Sequence, residues 1–180
     1  MLAMHKNIQK KVIEEIDSVV GMGDGLEDYE TLHKFTYMEM VIKETMRLFP
    51  VLPVVAREVT EDFELDGCII PEGTVLILFS YGVHRNKKYW GADAECFKPS
   101  RFEPQNMKNI HQYAYIPFTG GPRLCIGWRY AMLLMKVYLA NFFRQYTVDT
   151  RLKYDEITLS LAPSITIDQK HMITIKNREL

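Results

Sequence analysis

The sequence predicts a mainly α chain with small β-sheets, an α+β class, and three observations carry that prediction. Apolar residues recur at helical spacing in three stretches, His5 to Val20, Tyr37 to Phe49 and Trp128 to Tyr146. Strand-like texture is confined to residues 54–80 and to the last quarter of the chain, where β-branched residues alternate with polar ones. Between them, residues 86–115 are broken by Trp90-Gly91, Pro99 and Pro104 and support no long element. The 180 residues, 47% of them apolar, are enough for one core. A net charge of −1 excludes a strongly charged partner such as nucleic acid. The three cysteines, Cys68, Cys96 and Cys125, are odd in number and scattered, which argues against a disulfide framework and fits a reducing compartment. There is no run of about eighteen apolar residues, so this segment is not expected to cross a membrane.

Taken in order, the first helix places Ile8, Val12, Ile13, Ile16, Val19 and Val20 on one side, with Lys and Glu opposite. Gly21 ends it, and Gly21-Met-Gly-Asp-Gly25 reads as a linker, since no strand precedes it and no Gly-Lys-Ser/Thr follows. The second helix stacks Met38, Val41, Ile42, Thr45 and Leu48 and stops before Pro50. Val54 to Thr60, Phe63 to Ile70 around an Asp66-Gly67 turn, and Thr74 to Ser80 after Pro71-Glu-Gly73 read as a small β region. Tyr81 to Arg85 is expected to turn a short helix. Trp128 to Tyr146 is apolar nearly all round, interrupted by Arg129, Lys136 and Arg144, and is expected to be a buried core helix. Ile157 to Leu161, Ile165 to Ile167 and Met172 to Lys176 alternate, the last two flanking Asp168-Gln-Lys-His171, which suggests a closing β-hairpin.

The strongest chemical statement is Phe118-Thr-Gly-Gly-Pro-Arg-Leu-Cys125-Ile-Gly127. Its glycines let the backbone approach a flat ligand. Cys125 precedes a helix N-terminus, whose unpaired N–H groups and dipole favour an anion, and Arg123 adds to that field, so a thiolate is favoured there. One thiolate with no second cysteine nearby is a poor zinc or iron–sulfur site, and it suits a metal that brings most of its own ligands. Five fixed residues in Phe118-x-x-Gly121-x-Arg123-x-Cys125-x-Gly127 arise by chance on the order of once in a million windows. Two further patterns accompany it. Glu44 and Arg47 stand three apart on a helix, a spacing that alone marks a surface ion pair, and Phe97-Lys-Pro-Ser-Arg101-Phe102 lies between them and the cysteine.

Together these three motifs, in this order, resemble the cytochrome P450 family, the haem-thiolate monooxygenases. The resemblance implies the C-terminal, haem-binding part of that fold, covering nearly the whole of this chain but only part of the family's domain. The family's upstream distal helix and membrane anchor are not met here, so the chain is expected to be a fragment. The resemblance makes Cys125 the axial ligand of haem b, with Phe118 packed on the sulfur side and Gly127 beside it. Arg123 and Arg57 match positions that pair with haem propionates. Arg101 is implied to bind Glu44 together with Arg47 in a buried triad behind the haem. The segments 51–56 and 162–165 match those lining the substrate pocket, and their apolar character predicts a lipophilic substrate. The implied partner is NADPH-cytochrome P450 reductase at the cytoplasmic face of the endoplasmic reticulum, with NADPH used only indirectly. The texture is similar to eukaryotic microsomal members, insect ones among them. Two other readings stay open on the sequence: a non-catalytic product that binds haem poorly or only engages the reductase through Lys34, Lys43 and Arg129, and a haem-thiolate sensor or carrier without turnover.

Overall fold

A computed structural model describes residues 1–21, 29–162, 164–169 and 173–178. Most of the Gly21 to Gly25 linker and part of the Asp168 to His171 turn therefore lie outside the described residues. Helix α1 (Lys6–Val20) buries Val12 and Ile16 completely and ends at Gly21, whose φ of 59° no other residue type adopts as cheaply. Helix α2 (Tyr29–Lys34) is short and was not anticipated, because six residues are too few to show a period. Helix α3 (Thr36–Leu48) starts where Glu15 of α1 accepts the N–H groups of Tyr37 and Met38 at 2.6 and 2.8 Å, so a carboxylate from one helix satisfies the free donors of the next.

Strands β1 (Val55–Glu58), β2 (Phe63–Leu65), β3 (Cys68–Ile70) and β4 (Val75–Leu78) form two antiparallel pairs, β1 with β4 and β2 with β3. The β2–β3 turn carries Asp66 and Gly67 at φ of 51° and 78°, the pair of positive angles that an Asp-Gly hairpin is built for. Helices α4 (Ser80–Val83), α5 (Lys87–Trp90) and α6 (Pro104–Met107) punctuate the following segment, with 3-10 turns at 99–102, 112–114 and 121–123. A small core of Trp90, Ala94, Phe102 and Ala114, with Tyr115 against it, holds that segment together.

Helix α7 (Trp128–Gln145) packs across α1, α2 and α3. The expectation that it is buried all round is corrected here. Met132, Lys136, Ala140 and Phe143 form the buried stripe, whereas Tyr130, Leu134 and Tyr138, four residues apart in turn, are exposed on the other side. The main core, formed by α1, α2, α3 and α7, covers one face of α7 only. The closing strands β5 (Tyr146–Thr150), β6 (Leu159–Ala162), β7 (Ser164–Ile167) and β8 (Ile173–Asn177) also differ from the expectation. β7 pairs back onto β6, and β8 pairs with β5 from Tyr146 to Thr150, so the expected turn before β8 does not join two paired strands. Local alternation specifies a strand but not its partner, which is chosen by where α7 delivers β5. No helix among the described residues is long and apolar enough to cross a membrane.

Candidate functional site

The helical spacing that stacks Met38, Val41 and Ile42 on the core also turns Glu44 and Arg47 inward, and both are fully buried. Arg47 Nε and Nη2 donate to Glu44 Oε2 and Oε1 at 2.7 and 2.9 Å, a two-pronged fork. Its remaining N–H groups donate to the carbonyls of His84, Ala94 and Cys96 at 2.8, 2.7 and 3.2 Å. Glu44 also accepts the Lys98 N–H at 2.8 Å, and the Arg47 guanidinium lies 5.0 Å from the centre of the Trp90 ring. Arg101 comes to 3.5 Å of Glu44 through Nε, an ion contact without hydrogen-bond geometry. Its fork is spent elsewhere: Nη1 donates to the Trp90 carbonyl at 2.7 Å, and Nη2 to the carbonyl and, at 2.8 Å, the carboxylate of Asp93. The Arg101 hydrogen bond holds the Asp93 carboxyl below its usual range. The structure thus brings Glu44, Arg47 and Arg101 together, with one arginine clasping the carboxylate and the other flanking it.

This cluster is wired to the cysteine loop. His84, fully buried at the end of α4, accepts the Ile116 N–H on Nε2 at 2.8 Å, and its ring lies tilted against Tyr115, the centroids 5.4 Å apart. Tyr115 donates its hydroxyl to the Lys43 carbonyl at 3.1 Å, and burial raises that hydroxyl well above its usual range. From Ile116 the chain turns back on itself: the Thr119 N–H reaches the Ile116 carbonyl at 3.1 Å, and the Cys125 N–H reaches the Phe118 carbonyl at 3.0 Å. Thr119 and Gly121 take φ of 65° and 67°, and the Thr119 hydroxyl holds the Arg123 carbonyl at 2.7 Å. The result places an exposed Cys125 two residues before Gly127, the residue that precedes α7.

Beside that thiol, Phe118 is half-buried against the main core, and Leu124 and Ile126 are exposed, Ile126 completely. A Cβ at Gly127 would meet only the Cys125 sulfur, at 4.0 Å, so nothing else in the chain demands a glycine there. Arg123 is exposed, and Arg57 on β1 donates to the carbonyl of Ala56 at 2.8 Å; neither makes an ion pair among the described residues. The two segments 51–56 and 162–165 are brought side by side by the Ile165 N–H donating to the Val51 carbonyl at 3.0 Å, and Val51, Leu52 and Val54 are exposed. Among the described residues no three His, Cys, Asp or Glu side chains converge as a metal cage. A single outward sulfur with apolar neighbours and two cations unclaimed by carboxylates is a donor set that fits an iron porphyrin, which carries four nitrogen ligands, an apolar disc and its own propionates.

Behind the loop, a cavity of about 520 Å³ lies between α2, α3 and α7. On its wall Lys136, only 3% exposed, donates to Glu39 at 2.6 Å and to the Leu32 carbonyl at 3.2 Å, while Lys43 meets the same carboxylate at 2.7 Å. Burial pushes the Glu39 carboxyl up, yet the bonds from Lys136 and Lys43 outweigh it and leave the group below its usual range. Sequence reading treated Lys136 as an interruption and Lys43 and Arg129 as surface cations. In the structure Arg129 lies 4.8 Å from the centre of the Trp128 ring, and Lys34 is exposed at the end of α2. The signal for Lys136 was present, since it falls four residues from both Met132 and Ala140 on the buried stripe. His84, Trp90 and Asp93 were not read as site residues, because five of the cluster's bonds end on backbone carbonyls, which no residue type announces.

A family model described as Cytochrome P450 matches residues 1–174. Cytochrome P450 4V2 of Mus musculus is 39% identical over 98% of this chain and 33% of its own length. The Drosophila melanogaster protein described as probable cytochrome P450 313a4 is 40% identical over 87% of this chain and 32% of its own. Cytochrome P450 3A13 of Mus musculus is 36% identical over 98% and 34%. The chain spans about a third of the length of these curated relatives.

Proposed function

Because this chain belongs to the cytochrome P450 family, we propose that it supplies the haem-binding part of a haem-thiolate monooxygenase, which inserts one oxygen atom of O2 into a lipophilic substrate with electrons from NADPH delivered by a reductase. The observation that carries this reading is Cys125, exposed at the entrance to α7 on a loop whose backbone is tied to the buried Glu44–Arg47 pair.

In this reading the Cys125 thiolate would hold haem b, and the bound group would supply the oxygen-activating chemistry, favoured by electron density from the sulfur. Phe118 covers the sulfur side and keeps water from it. Arg57 and Arg123 take the propionates, where planar guanidinium matches carboxylate. The Glu44–Arg47 pair, with Arg101 alongside, holds the loop's foundation rigid, so that the sulfur is presented in one position without reorganisation when haem binds. Val51, Leu52 and Val54, beside the Ile165 strand, form part of an apolar wall for the substrate. Lys34, Lys43 and Arg129 lie on the face that receives an acidic reductase, and the working location is the endoplasmic reticulum membrane.

The test is the absorption spectrum of the haem-loaded protein, at the length of its relatives, reduced under carbon monoxide. The parent protein shows the strongly red-shifted Soret band of a thiolate ligand and Cys125→Ser loses it. Retention of that band in the serine variant overturns the assignment.

A further inference from the structure

We propose that the His84 imidazole is a positioning residue of the cysteine loop, a side chain that couples the buried ion pair to the segment carrying Cys125. Three observations carry this. His84 is fully buried and is held from both ends: its carbonyl accepts the Arg47 fork at 2.8 Å, and its ring nitrogen Nε2 accepts the Ile116 N–H at 2.8 Å. An amide N–H can only donate, so Nε2 must carry the lone pair and the proton must sit on Nδ1. Backbone groups of Met46 and Arg47 at the end of α3 also face the ring and work against its loss of the proton. A phenylalanine would fill the same space. What it could not do is accept from Ile116.

Ile116 is the point where the loop leaves the core. Its N–H is fixed by His84, and its carbonyl accepts the Thr119 N–H that starts the turn toward the Cys125 amide, itself held by the Phe118 carbonyl. Each hydrogen bond sets the anchor of the next, so a shift at Ile116 passes into the direction of the Cys125 side chain. Burial, aided by the charges of Arg47 and Arg85, pushes the His84 imidazole down to about 4, so at neutral pH the ring stays the neutral acceptor that this arrangement needs.

For its spectroscopic arm this inference rests on the haem-thiolate reading; its amide-exchange arm does not. Three variants separate position from bulk. His84→Gln puts an amide oxygen where Nε2 stands, His84→Asn is too short to reach, and His84→Phe keeps a ring against Tyr115 but accepts nothing. Hydrogen–deuterium exchange of the Ile116 amide is measured at pH 7 in the haem-loaded protein, together with the ratio of thiolate to neutral-thiol bands under carbon monoxide. The expected result is exchange about tenfold faster or more in the Asn and Phe variants, a matching growth of the neutral-thiol band, and near-parental behaviour in the Gln variant. Equal exchange in all variants, or equal loss in Gln and Asn, overturns the inference. If His84→Phe does not fold, the Gln and Asn pair decides. A parent protein with no thiolate band refutes the haem-thiolate reading, while the exchange comparison still judges His84.

Discussion

The Glu44–Arg47 cluster and the Cys125 loop sit a few residues from a common junction at Ile116, yet they are built on opposite terms. In the cluster the Glu44 and Arg47 charges are out of water, and Arg47 spends its N–H groups on Glu44 and on three carbonyls. In the loop the sulfur, Leu124 and Ile126 face outward, and the backbone supplies most of the bonds. The first region is complete within this chain and answers to stability. The second presents groups that nothing among the described residues engages, and it answers to what binds there. Substitutions should therefore divide cleanly between the two.

The largest effect is expected from Glu44→Gln, which removes the carboxylate and leaves Arg47 buried and uncompensated, with Arg101 losing its ion contact. The loss should be about 3–5 kcal/mol in chemical denaturation, and a loss below about 1 kcal/mol would mean that the cluster relaxes to admit water.

Acid comes next. His84 in the fold titrates at about 4 against an ordinary 6.5, so between those values the unfolded chain binds the proton and the fold does not. The stability it contributes is full above pH 6.5, falls as pH drops toward 4 and is level below that, a change on the order of 3 kcal/mol. The groups facing the ring are Arg47 from α3, Arg85 beside it and Tyr115 tilted against it. The slope of stability against pH between 6.5 and 4 should shrink in His84→Gln by the amount this ring contributes. Glu39, held down by its two lysines, loses its share only as pH falls lower still.

In the loop the effects on stability are small. Gly121→Ala forces a side chain to φ of 67°, with nothing within 4 Å to clash, for about 1 kcal/mol of strain. Cys125→Ser, on an exposed side chain, should move the denaturation midpoint by under about 0.5 kcal/mol while abolishing the thiolate spectrum. A serine variant as unstable as Glu44→Gln would erase the contrast between the two regions.

Much of this was legible along the chain. The periods of α1, α3 and α7 are present in the apolar spacing, the β2–β3 turn in Asp66-Gly67, and the cysteine loop in its glycines and the helix behind it. What escaped the reading has a common cause. β8 pairs with β5 across more than twenty residues of intervening chain, and the Arg101 fork goes to Trp90 and Asp93 with only its flank toward Glu44. Each depends on which surface arrives opposite, and a periodic pattern does not record that.

By itself, then, the sequence determined the long helices, the β2–β3 turn and the position of the thiol, because helix period and turn chemistry act over a few neighbouring residues, whereas the grouping of Glu44, Arg47 and Arg101 was implied only by the family resemblance. Tertiary structure alone decided that Lys136 is buried on Glu39, that His84 joins the ion pair to the loop at Ile116, and that Val51 meets Ile165. Those contacts end on carbonyls and amides, which every residue carries, and only the packing of distant segments selects which of them meet.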